Sequence, residues 1–362
     1  MRSIKHSFIL LFSYIKMAII IGMLFLNPAN AGKIFDITIT DPGTLNTTLL
    51  EEAIVLVENE VLNKIPNTDR TTFFNSMANA NAMAGKDLGT DPINKIDYAM
   101  VVLGAGAAID LDDKNFKDLK DSTGDYDYSS APGAGIQLGL GLGTNGKYLP
   151  KKYFKGEKWS TFVNFMPYKY DKDDLLIKIM SAGAHMRYQI SKEREVIGWS
   201  MLTLEPVFLS FGLEFSRLQI KYAKDFNISQ SVSGTSYSAS FNATGNLDVT
   251  TSTYSIPFEI SSGIRLLYLV TLYGGLGVDI NTGNSKGTGS LTNSAVSITD
   301  GSSTATGTAS LNLGEDGEPK VLFSRGFLGL QFNLWNFKIF AQGQKTFGRN
   351  LYGVQTGLKY FF

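Results

Sequence analysis

Leu351-Tyr-Gly-Val-Gln-Thr-Gly-Leu-Lys-Tyr-Phe-Phe362 closes the chain, and its reading decides the fold. Successive side chains of a β-strand point to opposite faces, so Tyr352, Val354, Thr356, Leu358, Tyr360 and Phe362 share one face. Gly353, Gln355, Gly357, Lys359 and Phe361 share the other. The first face is apolar and aromatic. The second is small or polar apart from Phe361.

Working back from this tail, the same period of two recurs. In 336–347, Phe337, Ile339 and Ala341 oppose Lys338, Gln342 and Gln344; in 327–334, Leu328, Leu330, Phe332 and Leu334 oppose Gly329, Gln331 and Asn333. In 270–280, Val270, Leu272, Leu276, Val278 and Ile280 oppose Thr271, Tyr273, Gly275, Gly277 and Asp279. In 258–268, Phe258, Ile260, Ile264, Leu266 and Tyr268 oppose Glu259, Ser261, Gly263 and Arg265. Met180, Ala182, Ala184, Met186, Tyr188 and Ile190 oppose Ser181, Gly183, His185, Arg187 and Gln189; Ile136, Leu138, Leu140 and Leu142 oppose Gln137 and glycines. Fainter alternation runs through 97–109, 159–168 and 201–222. Strands of about 9–13 residues with one greasy and one polar face are the mark of transmembrane β-structure. Hydrocarbon tolerates only helices and closed barrels, because an open edge leaves backbone groups unpaired.

The terminal Phe362, with Tyr360 two residues before it, resembles the closing strand of bacterial outer-membrane β-barrel proteins. The resemblance covers 97–362 as architecture. It implies that Tyr360 and Phe362 are read by the barrel-assembly machinery, that the protein resides in the bacterial outer membrane among its lipids, and that the tail ends in the periplasm. Alternating short turns and long loops from that end gives about ten crossing strands (range 8–14), with both termini periplasmic. The long external loops are then 110–130, 223–254 and 281–322, while Trp335-Asn336, Tyr268-Leu269 and 191–197 are inner turns. Within the outer two loops, 228–256 and 288–313 alternate like extended hairpins above the membrane. In this register Trp335, Phe337, Tyr268, Tyr360 and Phe362 form an inner aromatic girdle. Phe258, Phe347 and Tyr352 form an outer one.

The start of the chain fits export. Arg2, Lys5 and Lys16 precede an apolar run from Met17 to Leu26 and then Asn27-Pro28-Ala29-Asn30-Ala31. This is a signal peptide over 1–31, since its apolar run is too short for a spanning helix. Removing its three bases leaves 30 Lys and Arg against 33 acids, a charge near −3 without the basic surface that nucleic acid requires. The chain has no cysteine, so thiolate metal sites and disulfides are excluded, and of its two histidines only His185 lies beyond the signal.

Residues 32–96 read as a short helical segment before the barrel. Leu45, Leu49, Leu50, Ala53, Ile54, Val57, Val61, Leu62 and Ile65 recur at helical spacing over 45–65; a second helix runs over roughly 69–84 with Phe73, Phe74 and Met77. The pair is expected to form a periplasmic cap or a lumenal plug. The run Ser76-Met-Ala-Asn-Ala-Asn-Ala-Met-Ala-Gly-Lys-Asp-Leu-Gly-Thr90 resembles the N-terminal segment of spirochaete outer-membrane surface proteins. It is also similar to the hatch of fatty-acid-type outer-membrane transporters.

Chemistry is sparse. His185, Arg187, Glu205, Glu259, Arg265, Asp279, Lys338 and Lys359 fall on the lumenal face, with both signs present. In a narrow barrel side chains largely fill the interior, so such charges pair with one another. No serine–acid pattern accompanies His185, which argues against an enzyme. Asp110, Asp112, Asp113, Asp118, Asp121, Asp125 and Asp127 lack the spacing of a calcium loop and are interleaved with lysines, so no metal is expected. Gly139-Leu-Gly141-Leu-Gly143 precedes no helix, and no nucleotide or other cofactor is expected. The fold expectation is an all-β closed antiparallel transmembrane barrel with a short helical N-terminal segment. The functional expectation is a non-enzymatic surface protein whose external loops bind host or environmental partners. The alternative is a channel or transporter for small or hydrophobic solutes, with the N-terminal helices as hatch.

Overall fold

The computed structural model describes residues 35–45, 48, 50–52, 54, 55, 70–112, 133–148, 156–198, 201–231, 238–300, 302–311 and 313–362. The signal peptide expected over 1–31, most of the acidic stretch 110–130 and the second half of the predicted helix 45–65 lie outside these residues.

Ten strands form a closed antiparallel ring: β2 (Ala99–Asp110), β3 (Gly133–Asn145), β4 (Trp159–Lys172), β5 (Leu175–Gln189), β8 (Phe208–Ser231), β9 (Ser238–Leu266), β10 (Val270–Thr299), β13 (Leu322–Leu334), β14 (Phe337–Thr346) and β15 (Leu351–Phe361). The tail strand β15 closes the ring against β2, from Leu351↔Asp110 to Phe361↔Met100. All pairings around the ring are antiparallel. No backbone edge runs the length of the wall, as an apolar solvent demands. The 10 residues of β14 and 13 of β13, at ~3.3 Å each and ~40° tilt, span roughly 25–33 Å, the height of a hydrocarbon core. The shortest seam joins β3 to β4, where Gly141↔Asn164 is the outermost described pair. Above it β4 carries Pro167, which has no N–H to give a ladder, and Ser181 Oγ caps the free Leu138 carbonyl.

The outer surface is the greasy face of the alternation. Leu140, Leu142, Val163, Phe165, Leu213, Ile260, Leu272, Leu276, Leu328, Ile339, Val354 and Leu358 are all exposed there, an apolar belt no water-soluble protein would display. At the end where β15 finishes, rings cluster: Phe337 stands 4.7 Å from Tyr360, Tyr360 stands 4.8 Å from Phe362, and Trp159 stands 4.9 Å from Tyr188. Trp335, at the tip of the β13–β14 turn, is 97% exposed. These positions suit an interfacial girdle. Helices do not cross: among the described residues none is long and apolar enough. The closed ring and its apolar belt make this an outer-membrane β-barrel protein.

The opposite, external end carries the extended hairpins expected within its loops. Segments 223–254 and 281–322 are mostly sheet: β8, β9 and β10 continue to 24, 29 and 30 residues, and β11 (Thr304–Leu311) and β12 (Leu313–Gly317) pair back on β10. The reason is alternation without grease. Ala239, Phe241, Ala243, Val296, Ile298, Ala305 and Ala309 form a small core inside the extension, while Ser, Thr and Asn face water. The inner turn expected at 191–197 is likewise a small hairpin, β6 (Arg194–Ile197) with β7 (Leu202–Leu204), docked on the inner end of β9.

The N-terminal segment corrects two further expectations. It is not wholly helical, because β1 (Phe35–Asp41) is a strand paired with β11. Nor does it begin at the inner end. Leu45, Leu50 and Ile54 pack with Ile37 on the external core, so this part of the chain sits opposite Phe362. From there helix α1 (Arg70–Ala84) enters the mouth and residues 85–98 descend to the inner rim, where β2 begins. Nearly every residue of α1 is buried whichever way it points, because the wall surrounds it. β3 makes room: a Cβ at Gly135 would stand 2.5 Å from the Ala80 carbonyl, and one at Gly141 would stand 2.1 Å from the Gly89 carbonyl. The alternating glycines are therefore the seat of the plug.

Candidate functional site: the plugged lumen

Three tiers of polar contacts hold the plug. At the mouth, Asn79 Nδ2 donates to Asp110 Oδ2 at 2.7 Å, and Arg349 Nε reaches both Asp110 oxygens at 2.8 Å. Asn81 donates to the Ser216 carbonyl at 3.0 Å and to Thr253 Oγ1 at 2.9 Å, and accepts from Gln137 at 2.6 Å.

The middle tier is ionic. Arg325, fully buried, donates to Asp279 Oδ2 at 2.9 Å, to Asp87 Oδ2 at 2.9 Å, to Gln344 Oε1 at 3.1 Å and to Glu259. Lys86 Nζ lies 3.5 Å from Glu214 Oε2, 3.5 Å from Asp279 Oδ1 and 3.3 Å from Asn281 Oδ1. The backbone N–H of Asp87 donates to Glu214 Oε1 at 2.6 Å, and His185 Nε2 stands 3.3 Å from that oxygen. One oxygen or nitrogen from each of Asp87, His185 and Glu214 lies within 4.8 Å of the other two.

The inner tier centres on Asp91. Its Oδ1 accepts from the backbone N–H groups of Ile93 and Asn94 at 2.9 and 3.0 Å and faces Lys359 Nζ at 3.4 Å and Arg187 Nη1 at 3.8 Å. Arg187 also donates to the Asp91 and Asn94 carbonyls, and its guanidinium lies 4.1 Å from the Phe208 ring centroid and 5.1 Å from that of Phe162. Lys338 reaches Asn94 Oδ1. The buried Asp91 carboxylate thus faces Lys359 and Arg187, whose charges offset the cost of taking it out of water.

The sequence-derived candidates thus divide. His185, Glu259 and Asp279 meet the plug through Lys86, Asp87 and Arg325. Arg187, Lys338 and Lys359 meet it through Asp91 and Asn94. Glu205 and Arg265 do not touch it: they pair at 3.3 Å at the inner rim, where Arg265 also binds Glu193. Sequence reasoning did not single out Arg325, Glu214, Lys86, Asp87, Asp91 or Asn94. Arg325 lies two residues before the start of the alternation seen at 327. The plug residues belong to a stretch with no period at all.

What the arrangement does is fasten residues 79–94 to the inside of the wall. Every tier joins a plug residue to several strands, and buried charges there find partners in place of water.

A family model described as Lsa36-like matches residues 34–362. No curated protein matches the chain. Among solved structures, Ail, the attachment invasion locus protein of Yersinia pestis bound to the heparin analogue sucrose octasulfate, is 15% identical over 73% of this chain and 99% of its own, with a TM-score of 0.24. The translocator domain of autotransporter NalP from Neisseria meningitidis is 12% identical over 74% of this chain and 90% of its own, with a TM-score of 0.29. Outer membrane phospholipase A from Escherichia coli is 10% identical over 79% and 98%, with a TM-score of 0.25.

Proposed function

The chain belongs to the Lsa36-like family, and we propose that it acts as a non-enzymatic surface protein whose external sheet extension binds polar partners outside the cell. The observation that carries this reading is the contrast between the two ends of the barrel. The lumen is filled from mouth to inner rim by the chain's own residues 70–98, whereas β8–β11 rise beyond the membrane on a core of their own. A conduit would need the ionic tiers broken. A binding platform needs nothing to move.

The extension also has the composition of a recognition surface. Cross-strand pairs Ser252↔Asn284, Thr250↔Lys286, Asp248↔Thr288, Asn246↔Ser290 and Thr244↔Thr292 line its water-facing side. Short hydroxyl and amide side chains offer adaptable hydrogen bonding at low entropic cost, and a rigid sheet presents them without reordering. His185 supports no hydrolytic role, since it faces Glu214 and Asp87 in the buried lumen.

The test uses proteoliposomes carrying either the whole protein or a form with both hairpins trimmed, 226–242 and 292–308. They are exposed to immobilised extracellular proteins and glycans. Capture by the whole protein that disappears on trimming, with no stepwise conductance in planar bilayers, supports the reading. Steady conductance from the whole protein would favour the transport alternative instead.

A further inference from the structure

We propose that the middle tier is a binding site for one divalent metal ion of the zinc type, held by Asp87 of the plug, His185 of β5 and Glu214 of β8. The first argument is charge. Asp87, Glu214, Glu259 and Asp279 form one buried network with Lys86 and Arg325, joined by the contacts given above. Four carboxyl groups face two fixed cations, and such an acid excess in a buried network is costly unless a metal ion or protons match it. A single divalent ion matches it.

The second argument is unmet bonding capacity at the same corner. His185 Nε2 is buried with no hydrogen-bond partner, and Glu214 Oε2 and Asp279 Oδ1 have only the Lys86 ammonium, 3.5 Å away. His185 and Glu214 are only 4% and 6% exposed. Two ligands each ~2.1 Å from a tetrahedral ion stand roughly 3.4 Å apart, and the His185 Nε2 to Glu214 Oε1 separation is already 3.3 Å. On the ladder they share, His185 pairs in register with Gly212 and Glu214 with Gly183, so the imidazole lies over a glycine; Phe162 and Ser255 face them from their other neighbouring strands. One imidazole nitrogen with two carboxylates suits a borderline divalent ion better than calcium, which prefers six or more oxygens. The ion would tie the descending plug to two wall strands. It would also give the one histidine beyond the signal peptide a role.

The test is metal content. The mature protein is refolded in detergent with zinc sulfate, desalted, and assayed by plasma mass spectrometry beside His185→Ala and Glu214→Gln. Heat-modifiable migration verifies that each variant has formed its barrel. The expected result is one zinc per wild-type chain and at least a tenfold lower content in both folded variants. Wild-type protein that retains no stoichiometric zinc, or folded variants that retain as much, would overturn the site and leave protons to balance the network.

Discussion

Arg325 and Asp91 anchor the two ionic tiers, and each faces several opposite charges at once. Removing one partner of a buried group of charges costs about 3–5 kcal/mol, because the others are left uncompensated. Arg325→Gln should therefore lower the temperature at which the protein loses its heat-modifiable form, and by more than Arg349→Gln at the partly exposed mouth. Asp91→Asn should loosen residues 85–98, seen as faster backbone hydrogen exchange there with the strands unchanged. At this scale the sequence was half legible. Alternation placed His185, Arg187, Glu259, Asp279, Lys338 and Lys359 inside, but their partners come from a plug segment that carries no periodic signal.

At the scale of elements, the glycines of β3 decide where the plug can run. A side chain at Gly135 or Gly141 meets plug backbone at 2.5 Å or less, and backbone cannot yield as a flexible side chain can. Gly135→Leu should still give a closed barrel, since the ladder is untouched, but with the plug displaced. Stepwise conductance should appear where the parent protein shows none. The Gly139–Gly143 run shows how an element reads differently in isolation and in place: its spacing mimics a phosphate loop, yet its function is close approach. Strand positions were legible because grease must face lipid. The extensions of β8–β10 were legible as alternation within 228–256 and 288–313, but a Ser/Thr-rich ladder standing in water has too little grease to mark where each strand ends. The start of the N-terminal segment at the external mouth was not legible. That placement depends on β1 finding β11, 276 residues away at Phe35↔Leu311 and 265 at Asp41↔Thr306, a pairing no local pattern announces.

The whole molecule is a ten-strand cylinder that turns its apolar faces to lipid and fills its interior with its own chain. Ion-pair tiers inside and an apolar belt outside follow from one alternation, read from its two sides. In the proposed reading the external extension is the part that meets other molecules, and the barrel holds it above the membrane. Because the chain has no cysteine, the central claim can be tested with an introduced one. Leu88 of the plug is buried against Gly139 of the wall. In outer membranes containing the Leu88→Cys variant, the thiol should resist a water-soluble maleimide while the barrel keeps its heat-modifiable form, and react once the barrel is unfolded. A thiol that reacts freely in the folded barrel would contradict a plug seated inside a closed barrel.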